Sequence, residues 1–234
     1  MVSIQDQIAV VTGAGRGIGR AIAVELGKLG ARVVLAARSR AELEETAGII
    51  GPAGPAPGVM PTDVRKKDEI ERLFEHAGAV DILVNAAGLG IFGPVAGFKD
   101  EDFDVLIETN LRGIFLASRC VLPSMIERKK GHIINIASIA GKVGSANRAV
   151  YCASKFGVVG FTESLAEEVR QHGIRVSLIC PGSTDTGFSP AETSGKARER
   201  MLRPEDVAHA VRAIVTQEPN SFISEIVIRP AQKP

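Results

Sequence analysis

Tryptophan is absent from this chain of 234 residues, tyrosine occurs once, and aromatic residues together reach only 4%. So few rings offer little platform on which single-stranded nucleic-acid bases could stack. Neither sign of charge predominates: 28 Lys and Arg stand against 27 Asp and Glu, for a net of +1. Nucleic-acid backbones and anionic membrane surfaces are gripped by concentrated positive charge, so neither is an expected partner. Cysteine is scarce as well. Cys120, Cys152 and Cys180 form an odd-numbered, widely spaced set without a CxxC pair, which points to reduced thiols in the cytoplasm rather than a disulfide framework. His76, His132, His172 and His209 lack metal-ligand spacing, and no metal is expected. Long apolar runs are missing, so no membrane span is expected. The first residues lead within a few positions into a strand-like segment, so no leader peptide is expected either.

What is there is a regular alternation. Short β-branched runs occur at Ile8–Thr12, Arg32–Ala37, Asp81–Asn85, His132–Ala137, Arg175–Cys180 and Glu225–Ile228. Between them, helical spacing covers Gly17–Leu29, Arg40–Ile49, Lys67–His76, Asp100–Glu127, Val150–His172 and Pro204–Thr216. Strand and helix in strict turn predict an α/β protein: a single domain over residues 1–234, built as a doubly wound, Rossmann-like parallel sheet with helices on both faces. Gly51–Pro61 is rich in Gly and Pro, and its tail, Gly58–Thr62, is expected as the third strand. Pro61 cannot donate to a ladder, so that strand belongs at an edge, where the order 3-2-1-4-5-6 puts it.

After the first strand comes Thr12-Gly13-Ala14-Gly15-Arg16-Gly17-Ile18-Gly19, running directly into a helix. Glycines there permit a tight turn and let backbone N–H groups approach a pyrophosphate at the helix N-terminus. The spacing is G-x-x-x-G-x-G rather than the common G-x-G-x-x-G, so the context of strand, loop and helix carries the argument. The second strand ends Ala36-Ala37-Arg38-Ser39. An NAD site places an acid near this point to accept from the ribose 2′-hydroxyl. Ala37 stands there instead, and Arg38 follows, with Arg16 on the glycine loop within reach of the same place. Losing the carboxylate and gaining forked donors predicts NADP(H) in preference to NAD(H).

Tyr151 is followed at i+4 by Lys155, which puts both on one face of a helix. Ser138 follows the strand ending at Ala137, and strand carboxyl ends are where open α/β sheets place their chemistry. A free phenol has a pKa near ~10. A cation about 4 Å away is worth roughly 4 kcal/mol at an effective dielectric near 20. That is enough to lower the phenol by up to about three pH units before burial takes back its share. Tyr151 is therefore expected to act as a general acid–base group with its pKa lowered by Lys155, and Ser138 to hydrogen-bond the substrate oxygen.

Seven pieces in order, TGAGRGIG at Thr12–Gly19, Asp63-Val64, NAAG at Asn85–Gly88, Asn110, Ser138, YCASK at Tyr151–Lys155 and PGSTDT at Pro181–Thr186, resemble the short-chain dehydrogenase/reductase family over nearly the whole chain. The resemblance implies a catalytic set of Asn110, Ser138, Tyr151 and Lys155. It implies a cofactor pocket from Thr12, Gly13, Gly15, Arg16, Gly17, Ile18, Gly19, Arg38, Ser39, Asp63, Val64, Asn85, Ala86, Gly88, Tyr151, Lys155, Pro181, Gly182, Thr184 and Thr186. In it Asp63 would contact adenine, Thr186 the nicotinamide carboxamide, and Asn110 a water joining Lys155 to solvent. Through Gly182 the chain most resembles 3-oxoacyl-[acyl-carrier-protein] reductases, which implies a ketone substrate carried on acyl carrier protein or CoA. The ending Glu225-Ile226-Val227-Ile228-Arg229-Pro230 is closer to 3-hydroxy acid, serine or pterin-type members. A silent NADP(H)-binding sensor is the alternative from another class, and the intact catalytic set counts against it. A homotetramer or homodimer pairing through Asp100–Glu127 and Val150–His172 is implied too. The substrate loop is expected at about Ser183–Arg203, and Arg112, Arg119, Lys129 and Lys130 are candidates for a basic carrier-protein patch.

Overall fold

The computed structural model describes residues 2–52, 54–188 and 195–232. The β-branched runs form β1 (Ile8–Thr12), β2 (Arg32–Ala37), β3 (Gly58–Pro61), β4 (Ile82–Asn85), β5 (Gly131–Ile136), β6 (Ile174–Pro181) and β7 (Glu225–Ile228). They pair in the order β3-β2-β1-β4-β5-β6-β7, and every pairing is parallel. Pro61 does close the edge strand β3, opposite Ala37. The seventh strand covers the far side of β6, so β7 becomes the second edge.

Successive strand residues face opposite sides, and the core is accordingly double. On one face Ala9, Val11, Leu35 and Val84 pack with α1 (Gly17–Lys28), α2 (Arg40–Ile50) and the last helix. On the other, Val10, Val34, Leu83 and Ile133 pack with α3 (Lys67–Ala77) and the central helices. The helix expected at Asp100–Glu127 is divided. It runs as α4 (Asp100–Ile107), a π turn at Glu108–Arg112, and α5 (Gly113–Arg128). A π turn inserts an extra residue and re-aims one side chain; here Asn110 turns inward and is fully buried. The remaining helices are α6 (Ala149–Val169), a short α7 (Gly195–Arg198) and α8 (Pro204–Val215).

The register sets the site. Thr12 lies opposite Asn85, and Asn85 opposite Asn135, so the carboxyl ends of β1, β4 and β5 finish level. The chain diverges between β1 and β4, from which crossovers leave in opposite directions. A crevice opens at such a switch point, outside the strand ends.

Candidate active site

Thr12 ties two loops together. Its Oγ1 accepts from the N–H groups of Ala86 and Ala87, each at 3.2 Å, and so clamps the segment after β4 beside the glycine loop. Gly13 adopts φ +70°, and a Cβ there would land 2.8 Å from the Ala87 backbone. A Cβ on Gly19 would lie 2.2 Å from the Gly13 carbonyl oxygen. At these two positions glycine is required by close backbone approach.

The loop is also held from beneath by two residues that sequence reasoning missed. Arg20 donates from Nε to the Gly15 carbonyl at 2.9 Å, and Thr46 donates to the Ala14 carbonyl at 3.0 Å. A signal for Thr46 existed: it is a polar residue on the buried face of α2, between Leu43 and Ile50. Ser39 caps α2 by accepting from the Glu42 N–H at 3.3 Å. Arg16 and Arg38 are exposed, and neither forms an ion pair among the described residues. Asp63 is buried at the end of β3, and Arg65 engages both its carboxylate oxygens at 3.0 and 2.6 Å. The Arg65 guanidinium holds that carboxyl below the usual carboxylate range, and the charge of Arg38 contributes in the same direction. Val64 packs against Gly113, at the start of α5.

Asn85 donates to Asn135 Oδ1 at 2.9 Å, and Asn135 in turn donates to Thr162 Oγ1 at 2.9 Å. This buried chain bolts β4 and β5 to α6, the helix that carries Tyr151 and Lys155. Asn110 bonds Leu89 twice, accepting its N–H at 2.8 Å and donating to its carbonyl at 2.9 Å, and donates again to Ser154 Oγ at 3.1 Å. Both amide hydrogens are thus committed to protein, which narrows the side chain's expected part in a water link to Oδ1. That oxygen and Lys155 Nζ both face Gly88, at 3.4 and 3.7 Å from where its Cβ would be.

Lys155 is buried and donates to the Ile136 carbonyl at 3.1 Å. Burial without a carboxylate partner pushes its ammonium down to about 8. Tyr151 is buried too, with Lys155 Nζ 5.9 Å from its ring centroid. Here the structure corrects an expectation. The phenol is raised above its ordinary value, because desolvation outweighs the stabilisation of the phenolate by the Ser138 hydroxyl and by Arg148. The Lys155 ammonium turns to a backbone carbonyl rather than to the phenol, so the expected lowering by Lys155 is absent. Ser138 extends from the end of β5 and begins a tight turn at Ile139–Gly141, accepting from Ala140 N–H at 3.1 Å.

Two aromatic rings wall this group. Phe92 meets Tyr151 edge-on at 5.3 Å between centroids, and Phe188 lies at 6.1 Å. Gly90 threads between them, since a Cβ there would come within 2.7 Å of both. Phe92 was not foreseen, although it stands in an apolar run just past Gly88. On the far side, Gly182 N–H bonds the Ile228 carbonyl at 2.7 Å, with Pro181 ending β6, and Thr184 Oγ1 donates to the Gly182 carbonyl at 3.0 Å. Thr186 then approaches Gly17, its Cβ 3.1 Å from the position a Gly17 Cβ would take. The loop after β6 therefore lies against the glycine loop, with Ile18 packed on the core below it. Of the expected substrate loop, Ser183–Arg203, residues 189–194 lie outside the described residues.

The four candidate carrier-protein cations do not gather. Arg112 precedes α5 and Lys129 and Lys130 follow it, a separation of roughly 24 Å along the helix. Lys130 pairs with Asp81 at 3.0 Å, and Arg119 stacks on Phe115. Among the described residues no three His, Cys, Asp or Glu side chains gather as metal ligands, and no helix is long and apolar enough to cross a membrane.

Residues 7–197 match the short chain dehydrogenase family. The chain is 37% identical to an uncharacterised oxidoreductase of Staphylococcus aureus strain MRSA252, covering 98% of this chain and all of that one. It is 43% identical to a metagenomic short-chain oxidoreductase solved in complex with NADP, with a TM-score of 0.86 and coverage of 99% and 100%. It is 36% identical to a variant of the actinorhodin polyketide ketoreductase solved with NADPH, at a TM-score of 0.88 and 98% coverage of each chain.

Proposed function

The chain belongs to the short chain dehydrogenase family, and on that premise we propose that it is an NADP(H)-dependent oxidoreductase interconverting a ketone and a secondary alcohol (a CH–OH group), with 3-oxoacyl compounds as its substrate class. The catalytic unit is a single domain over residues 1–234. The observation that carries this reading is the enclosure of Tyr151 and Lys155 next to Ser138, at strand ends beside a tightly packed glycine loop.

The residues fit a phosphorylated dinucleotide. Backbone N–H groups of Gly13–Gly19 would hold the pyrophosphate, where close packing admits no Cβ. Arg16 and Arg38, free of ion pairs among the described residues, would hold the 2′-phosphate. Asp63 and Val64 would border the adenine, and Thr184 and Thr186 the nicotinamide carboxamide. NAD(H) lacks the 2′-phosphate and is the weaker cofactor. When bound, the cofactor supplies or accepts the hydride.

Every other step belongs to the chain. Ser138 donates a hydrogen bond to the ketone oxygen, and Tyr151 delivers its proton as that oxygen gains charge. Burial keeps the phenol protonated at neutral pH, which suits an acid in the reductive direction. Lys155, near 8, titrates close to working pH and restores the proton through the Gly88 side, where Asn110 Oδ1 also faces. The ends of the proposed substrate slot are Phe92 and Phe188, apolar walls that exclude water from the exchange.

A screen with NADPH and NADH against 3-oxoacyl thioesters, free 3-oxo acids and simple ketones tests the reading. The expected result is NADPH-dependent reduction of 3-oxo compounds. NADPH binding without turnover across the panel overturns it in favour of a cofactor-binding sensor; equal affinity for the two cofactors overturns the NADP(H) assignment. Pairing of α4, α5 and α6 with a second copy, as a homodimer or homotetramer, is supported by the exposed Phe103, Phe115 and Phe156. Sedimentation as a monomer at micromolar concentration would refute it. The three free cysteines fit a reducing cytoplasm.

A further inference from the structure

Arg148 stands three residues before Tyr151, at the start of α6. Its guanidinium lies over the Phe92 ring, 4.9 Å from the centroid, and Phe92 in turn meets the Tyr151 ring. The cation is thus placed at the mouth of the reductase site, one ring removed from the phenol. Its backbone is held there as well. The neighbouring Asn147, at φ +60°, accepts the Gly93 N–H at 2.8 Å, and the Arg148 carbonyl accepts the Cys152 N–H at 2.7 Å. Among the described residues the guanidinium has no ion-pair partner, and the first turn of α6 carries no acidic residue. Other arginines are engaged in ion pairs: Arg128 bonds Asp81, Arg170 bonds Glu167 and Arg198 bonds Asp185. An exposed guanidinium without an ion pair, seated on an otherwise apolar aromatic wall, can receive an anion, and its planar fork matches a carboxylate.

We propose that Arg148 is a specificity-determining residue that binds the free carboxylate of a short 3-oxo acid, or of the corresponding 3-hydroxy acid, while Phe92 and Phe188 enclose its chain. This rests on the reductase reading of the same site and narrows it. The carboxylate of a 3-oxo acid is carried close to the reacting ketone, and Arg148 is the cation on the Phe92 wall that borders Tyr151. The phosphate of an acyl phosphopantetheine lies at the far end of a long flexible arm, well past that position. The positive charge of Arg148 is also felt at the Tyr151 phenol, where it acts against burial, in keeping with its nearness to the reacting oxygen.

The test compares acetoacetate with its neutral methyl ester, and acetoacetyl phosphopantetheine with acetoacetyl pantetheine, as NADPH-dependent substrates of the parent, Arg148→Gln and Arg148→Lys. The parent is expected to prefer the acid to its ester. Arg148→Gln should lose about 10- to 100-fold in kcat/KM on the acid, mostly through KM, and change on the ester by less than about threefold. Arg148→Lys should keep part of the preference, since it retains charge without the fork. Three outcomes overturn the inference alone: equal use of acid and ester by the parent, an equal loss on both in Arg148→Gln, or a preference confined to the phosphopantetheine pair. The second of these would mean that Arg148 merely braces Phe92. No turnover of any compound by the parent, with NADPH bound, overturns the reductase reading together with this one.

Discussion

The two ends of the one sheet both bury polar groups, yet they treat them differently. At the amino ends, Asp81 accepts from the Ile8 N–H at 3.1 Å and pairs with Arg128 at 3.1 Å and Lys130 at 3.0 Å. Those partners overcome its burial and keep its carboxyl below the usual range. Nearby, His132 meets Ser177 Oγ at 2.9 Å; because that hydroxyl donates to the Ile223 carbonyl at 2.6 Å, the imidazole N–H donates to it. At the carboxyl ends, capacity is left over. Lys155 spends one of its three donors on Ile136, and Arg16, Arg38 and Arg148 have no ion pair among the described residues. Satisfied burial makes structure; spare donors in a crevice are available for a ligand.

The largest expected effect removes the spare proton donor. Tyr151→Phe keeps the ring packing and should lower ketone reduction by about 10²- to 10⁴-fold, with NADPH affinity changed only a few-fold; an active variant would break the contrast between the two ends. The second prediction uses pH, because both ends hold a buried base. His132 is held down to about 3 from 6.5, so the unfolded chain binds the extra proton and stability falls as pH drops through that window. Lys155 is held to about 8 from 10.5, so stability gains as pH rises between those values. Denaturant titrations should show the acid slope flattened in His132→Gln and the alkaline slope flattened in Lys155→Met, each leaving the other slope intact.

Next in size is Asp81→Ala, which strands a backbone N–H and releases two cations that solvent reaches. It should cost about 1–3 kcal/mol in chemical denaturation, while kcat of the folded fraction stays unchanged; a selective loss of kcat would blur the distinction. Arg38→Asp should shift the NADPH to NADH affinity ratio by about 10- to 100-fold towards NADH with little change in stability, read by fluorescence titration. The smallest effect is a control away from both ends. Gly48 lies exposed within α2, with nothing within 4 Å of its added Cβ, so Gly48→Ala should stabilise by about 0.5–1 kcal/mol. The same change at Gly19 would drive a Cβ into the Gly13 carbonyl and destabilise instead.

Much of this was legible in the chain. The alternation of runs predicted the strands, and Pro61 predicted which of them lies at the edge, because both signals are local. Ser138, Tyr151 and Lys155 do come together, since a strand end and a helical i,i+4 face are short-range features. Most of the unforeseen parts depend on residues far apart in sequence. The π turn at Asn110 is explained by two bonds to Leu89, across the chain from it. Arg20 and Thr46 secure the glycine loop from two different helices, and Asn135 reaches Thr162 from β5. Arg65 takes the carboxylate of Asp63, a contact only two residues away that the strand pattern does not reveal. Arg112, Arg119, Lys129 and Lys130 read as a group along the chain, but α5 spreads them from before its start to past its end.

The amino-acid order alone specifies where the backbone can turn tightly, which faces are apolar, and that Tyr151 and Lys155 share a helix face, because dihedral preference and periodicity act over a few residues. Folding in three dimensions decides which of those side chains lose water. Desolvation depends on walls supplied from distant segments: Phe92, Phe188 and Gly88 around Tyr151 and Lys155. That is why the cation beside the phenol could be read from spacing, whereas a raised phenol and a lysine near 8 come only from the packed protein.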